Sequence, residues 1–143
     1  MATSEYIVVS NDSSHSTGTA ASFTQILGNN YILTGGTNYE MKVVSASFPT
    51  PHPYTNLPIY ITCDLVNTSS LYGEVDSYIT LIDQEMPTKI QSQYVYYNNM
   101  DDNAVSLKRR VFNSLSIKIR DASGVDIPNT GKSNVVLAFR PVV

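Results

Sequence analysis

The amino-acid sequence predicts an all-β domain, a sandwich or barrel of antiparallel strands. Three observations carry this expectation. Apolar and polar residues alternate over short runs, most clearly in Leu115-Ser116-Ile117-Lys118-Ile119-Arg120 and in Ile59–Val66. A period of two is that of a strand with one dry and one wet face. No stretch shows the 3.6-residue apolar period of an amphipathic helix. The composition combines ten tyrosines and no tryptophan with plentiful Ser, Thr and Asn, and only 15% of residues are charged. That is a balance of β-formers and turn-formers.

Length and charge set the outer bounds. A chain of 143 residues suits one domain that buries roughly two thirds of its unfolded surface. No apolar run approaches the length of about 20 residues that crosses a bilayer, so no membrane insertion is expected. Met1-Ala2-Thr3-Ser4-Glu5 has neither the basic region nor the apolar core of a signal peptide. A net charge of −3 gives no electrostatic reason to expect nucleic acid or an anionic membrane as partner. The single cysteine, Cys63, excludes an intrachain disulfide and fits a reducing compartment.

Taken in order, Glu5–Ser10 is β-prone with no single apolar face. It reads as a strand buried on both sides, or as an arm that adds to a neighbouring sheet. Asn11–Ala21 is almost wholly Asn, Asp, Ser, Thr, Gly and Ala, too polar to offset its ordering entropy by burial, so it reads as a loop or flexible linker. The expected division is therefore an arm and linker over 1–21 and a domain over 22–143. Ser22–Leu27 and Tyr31–Thr34 are two short runs, followed by a turn at Gly35-Gly36-Thr37-Asn38. Tyr39–Phe48 is a long strand with apolar residues first at Tyr39, Met41 and Val43, then at Val44, Ala46 and Phe48. A change of phase inside a strand predicts a β-bulge or a sheet corner.

Prolines 49, 51, 53 and 58 then force a loop. Ile59–Val66 places Ile59, Ile61, Cys63 and Leu65 on one face, and Asn67–Asp76 is a Ser/Thr/Gly loop. Ser77–Asp83 is a strand, and Lys89–Tyr97 is another, its Tyr94-Val95-Tyr96-Tyr97 suited to burial on both sides. Ala104–Phe112 is a short extended piece or one helical turn. The chain closes on two alternating runs, Leu115–Arg120 and Val135–Arg140, expected to form an antiparallel sheet with a Gly/Pro-containing connection over 121–134. In the second run Val136 and Ala138 leave the outer face partly apolar. The sum is about eight antiparallel strands in two sheets.

No catalytic or metal constellation emerges from the sequence. His15 stands among Asp12, Ser13, Ser14 and Ser16, but a triad needs a rigid scaffold and this is the most polar stretch of the chain. His52, between two prolines, reads as a surface or interface side chain. Cys63 points with aliphatic neighbours and reads as a small buried hydrophobe. The Asp121–Asp126 stretch lacks the alternating oxygen ligands of a calcium loop. Lys108-Arg109-Arg110 is the one basic cluster; with Asp101 and Asp102 upstream and no interleaved aromatics, it reads as a solvated strand end or an inter-subunit contact. No cofactor, small-molecule substrate or enzymatic activity is expected.

At this point the order of motifs resembles that of a known family. Tyr39–Phe48, a Pro-rich loop and Ile59-Tyr60-Ile61-Thr62-Cys63-Asp64-Leu65-Val66 are similar to the "weVaL..isyP" strand and following "iyvycDiv" of penton-type minor capsid proteins of virophages and polinton-like viruses. Arg110–Asp121, then Gly124, Ile127-Pro128, Gly131 and Val135–Arg140 resemble that family's "f..i.I.IrD..G..ipf..G.v.v.L.F". The resemblance covers roughly residues 22–140. It departs at Asn129, where the family has an aromatic, and Ile79–Asp83 matches a Leu-Leu-Arg-type strand only loosely.

The resemblance implies an upright single jelly roll, a β-sandwich of which five copies form a homopentamer at each icosahedral vertex. There it meets the hexon-like major capsid proteins, in a virion assembled in host cytoplasm or a viral factory. The chain leaves no room for the outward domain of larger members. A ring of five needs two different patches that close by rotation, and tyrosine is enriched in interface cores. The candidate interface residues are Tyr6 on the arm, Tyr54, Tyr60, Tyr94 and Tyr96, with Arg109 and Arg110 from the basic cluster. The alternative is a sandwich-type binding module, sugar- or receptor-binding and trimeric, with Tyr72, Asp76 and Tyr78 as an aromatic platform.

Overall fold

The computed structural model describes residues 5–33, 38–49, 58–71, 74–82, 89–91, 94–99, 104–121, 124–128 and 130–142. Among them every regular element is a strand: β1 (Glu5–Ser10), β2 (Ser16–Gly18), β3 (Ser22–Ile32), β4 (Tyr39–Pro49), β5 (Ile59–Cys63), β6 (Ser69–Leu71), β7 (Glu74–Asp76), β8 (Tyr78–Ile82), β9 (Lys89–Gln91), β10 (Tyr94–Asn98), β11 (Val105–Ser106), β12 (Val111–Asp121) and β13 (Asn134–Pro141). The first sheet has the order β1-β13-β4-β10-β9, with β11 also on β4. The second has the order β2-β3-β12-β5-β8, and β6 and β7 pair separately. Every pairing is antiparallel. The protein is an all-β sandwich.

Side chains from both sheets fill one core. Ile7, Val9, Met41, Val43, Phe48, Val95, Leu137 and Phe139 come from the first sheet, and Phe23, Ile59, Ile61, Ile82, Leu115, Ile117 and Ile119 from the second. Burial of each such large side chain stabilises the fold by roughly 1.5–3 kcal/mol. Phe112 and Phe139 meet across the core with ring centroids 5.8 Å apart. The clean alternations of the sequence behave as expected: Leu115, Ile117 and Ile119 are buried while Lys118 is exposed, and Ile59, Ile61, Cys63 and Leu65 are all buried.

The predicted phase change in β4 is a β-bulge. Val136 stands opposite Ser45 and Leu137 opposite Val43, so Val44 has no counterpart on β13. Asn99 occupies the bulge, its backbone N–H donating to Val44 O (2.9 Å) and its side-chain amide to Val43 O (2.8 Å). The extra residue turns Tyr39, Met41 and Val43, then Ala46 and Phe48, toward the same core.

Several expectations are corrected. The two C-terminal runs do not pair with each other: β12 lies between β3 and β5, and β13 between β1 and β4. Among the eight longer strands, the chain changes sheet at every link except β5 to β8. A period of two fixes which face is dry, not which strand is the neighbour. Ser22–Ile32 is one strand rather than two runs, with its register against β12 jumping between Ile26 and Tyr31. Lys89–Tyr97 is a hairpin, with Tyr94 opposite Gln91. Of Tyr94–Tyr97 only Val95 is buried, so burial on both sides does not occur. Ala104–Phe112 contains no helical turn; β11 pairs with β4 and Leu107 bridges to Val66. The Asn67–Asp76 loop contains the β6–β7 hairpin.

The N-terminal segment departs furthest from its reading. β1 is a strand of the first sheet, paired with β13 from Glu5↔Phe139 to Ser10↔Asn134, and Ile7 and Val9 belong to the common core. It is therefore no separable arm, and the boundary at 21/22 divides nothing in the core. Residues 11–21 form an ordered connection. Asn11 Oδ1 accepts Ser133 N–H (2.7 Å), Asn11 Nδ2 donates to Gly131 O (3.0 Å), and the buried Ser133 hydroxyl donates to Ala20 O (2.7 Å). Long-range hydrogen bonds and the burial of Ala20 and Ala21 hold this stretch, and its composition announces neither.

Candidate subunit-interface surfaces

The sandwich has two outer faces, and the candidate residues divide between them. On the first sheet, Tyr6 and Val8 of β1 stand beside Ala138 and Val136 of β13. Val136 is in register with Ser45 and Asn98, and Asn134 with Ser47 and Tyr96. Tyr6 is 63% exposed, Val8 57% and Tyr96 45%. Between them Ser45, Ser47, Asn98, Asn134, Val136 and Tyr96 line a shallow cleft of about 230 Å³. The cleft itself is uncharged; Lys42 stands in the row of Ala138 and Tyr6, and Glu40 and Arg140 pair toward one end. Uncharged, tyrosine-bearing area of this kind is low in desolvation cost and suits a protein contact.

Tyr94 belongs to the same face but is partly engaged. Its hydroxyl accepts Lys132 N–H (3.1 Å), and its ring lies 6.4 Å from that of Tyr96. Gly131 makes this approach possible: at φ +115° it adopts backbone favoured by glycine, and a Cβ there would stand 2.8 Å from Pro49 Cγ and 3.0 Å from the Tyr94 hydroxyl.

The second sheet's outer face is different. Tyr60, expected as an interface residue, is 1% exposed. Its ring meets Tyr78 edge-on at 4.9 Å, and the Arg120 guanidinium lies 5.8 Å from the ring centroid. Arg120 Nη2 in turn donates to Asp76 Oδ2 at 2.6 Å, at the end of the β6–β7 hairpin. Tyr60 is thus an internal residue, corrected because polar neighbours cover a position that alternation places on the wet face. The same burial removes Tyr78 from any sugar-stacking platform, and its Asp76 partner is committed to Arg120. Tyr54, Tyr72 and His52 lie outside the described residues.

Arg109 and Arg110 are exposed at the bend that leads into β12. Arg110 reaches Leu33 O with Nη1 (3.5 Å), and its own carbonyl accepts Leu33 N–H (2.9 Å). The structure therefore brings Tyr6, Tyr94 and Tyr96 to one face and leaves Tyr60 and the two arginines elsewhere. Val8, Val136 and the serines of β4 complete that face; of these only Val136 was expected on an outer face, and none was named as an interface residue. Their signal was the apolar residue at both phases of Tyr6–Val9 and of Val135–Phe139.

Cys63, Asp64 and Asp121 are engaged within the fold. Burial pushes the Cys63 thiol up to about 12, with Asp64 adding to the effect, so it is no nucleophile at neutral pH. Asp121 Oδ1 accepts Val125 N–H (3.1 Å), closing a turn at Gly124. Among the described residues no group of three or more His, Cys, Asp or Glu could hold a metal ion, and no helix is long and apolar enough to cross a membrane. A second cleft of about 160 Å³ lies between Thr62, Asp64, Asp76, Lys108, Ser116 and Lys118, where Asp64 Oδ1 accepts Ser116 N–H (2.9 Å). No family model matches the sequence, and neither does any curated protein.

Proposed function

We propose that the chain is a structural protein of a viral capsid, a penton-type vertex subunit that forms a ring of five against neighbouring major capsid proteins. The observation that carries the reading is strand order. Numbered 1–8 along the chain, β1, β3, β4, β5, β8, β10, β12 and β13 stand as 1-8-3-6 in one sheet and 2-7-4-5 in the other. That interleaving supports a jelly roll with two Greek keys, the fold that the resemblance over residues 22–140 implies.

The outer face of the first sheet supplies one patch for such a ring, with Tyr6, Val8 and Tyr96 exposed. A ring of five is heterologous, so this patch meets a different surface of the next copy. In this reading the protein works by contact, in the virion, without cofactor, catalysis or small-molecule substrate. The test is the native mass of the purified chain, alone and mixed with a major capsid protein of the same virus. Five copies are expected. Three copies with glycan binding would favour the sugar- or receptor-binding alternative, and a monomer that stays monomeric with the major capsid protein would overturn the proposal.

A further inference from the structure

β1 ends the first sheet, so among the described residues one of its two edges has no strand beside it. Its ladder to β13 fixes which groups face that edge. The Asn11 N–H donates to Ser133 O (3.3 Å), one position beyond the Ser10↔Asn134 pair. In an antiparallel pair the residues that exchange hydrogen bonds recur every second position. Val9 and Ile7 therefore bond β13, whereas Ser10, Val8 and Tyr6 turn their N–H and C=O outward.

Among the described residues two side chains meet that row, Gln25 at two successive positions and Ser16 at one. Gln25, on the core-facing phase of β3, has its carbonyl Oε1 accepting Ser10 N–H (3.1 Å) and its Nε2 donating to Val8 O (3.4 Å). One amide thus gives both a donor and an acceptor to successive outward residues, as the peptide groups of an adjacent strand do. The Ser16 hydroxyl donates to Ser10 O beside it.

The segment needs such a guard. Tyr6-Ile7-Val8-Val9 is strongly β-prone, uncharged and free of proline, the composition of an edge that pairs with its own kind. Tyr6 and Val8 are exposed beside it. An antiparallel pairing of two copies centred on Val8 sets Val8 against Val8 and Tyr6 against Ser10, with no like charges opposed between them.

We propose that Gln25 is an edge guard: its side-chain amide holds the place of a neighbouring strand on β1, and its withdrawal opens β1 to antiparallel pairing with β1 of a second copy. The proposal does not depend on the capsid reading, because it predicts association added to whatever oligomer the native chain forms.

The test compares native mass against concentration for the wild type, Gln25→Ala and Gln25→Ala/Val8→Lys. Loss of two hydrogen bonds' worth of competition is expected to tighten the added self-association about tenfold in Gln25→Ala. The Val8→Lys change sets two like charges opposite each other and should restore the wild-type mass. A Gln25→Ala protein with unchanged mass at every concentration, or association that Val8→Lys leaves intact, would overturn the proposal. Hydrogen exchange on the wild type tests it without any variant. The Ser10 amide should exchange more slowly than the Val8 amide, and equal rates would also overturn it.

Discussion

The two outer faces of the sandwich carry tyrosines at the same kind of position and treat them in opposite ways. Tyr60 and Tyr96 each sit on the outward phase of a strand, yet one is 1% exposed and the other 45%. The difference lies in what covers them. Over Tyr60 come Tyr78, Arg120 and the end of the β6–β7 hairpin. The neighbours of Tyr96 across its sheet are small polar residues, Ser47 and Asn134, that leave a cleft. An outward tyrosine is therefore a core residue or a contact residue according to tertiary cover.

Three substitutions probe that contrast. The largest effect is expected for Tyr60→Ala, which removes a buried ring from under Arg120 and beside Tyr78; chemical denaturation should show a loss of about 3–5 kcal/mol. A loss below about 1 kcal/mol would mean that the second face is not closed. Next comes Asp76→Asn, which keeps the side chain's size but ends its ion pair with Arg120. Because both groups retain partial exposure, at 23% and 36% of their side chains, the expected cost is about 1 kcal/mol. Faster amide exchange at Tyr60 and Tyr78 should accompany it as the cover loosens. The smallest effect belongs to Tyr96→Ala, whose change in subunit stability should lie within about 0.5 kcal/mol. Its consequence should appear instead as weaker assembly, read by native mass.

How much of this was legible in the sequence depended on the range of the interaction. The bulge at Val44 was visible because the apolar phase slips between Val43 and Ala46 within a few residues. The dry faces of β5 and β12 were equally plain. What stayed hidden depends on partners far along the chain. The assignment of β12 and β13 to opposite sheets is a matter of neighbours, which alternation cannot name. The order in residues 11–21 rests on Asn11 meeting Ser133, 122 residues away. Gln25 occupies a core-phase position in β3, and nothing local tells that Val8 and Ser10 lie across the gap. Tyr60 failed as an interface candidate for the same reason: its cover comes from Asp76 and Arg120.

The pairing of β1 with β13 has a consequence in time. β1 takes as its partner a strand that is made more than a hundred residues later, so the first sheet cannot close until β13 has emerged. Long-range pairing of this kind folds slowly, because the entropy of the intervening loop is lost before any contact compensates it. Throughout synthesis Tyr6-Ile7-Val8-Val9 waits without β13, and such transiently bare segments are where nascent chains aggregate. Ser16 and Gln25 emerge soon after it, more than a hundred residues ahead of Val135, and both side chains reach that strand's edge.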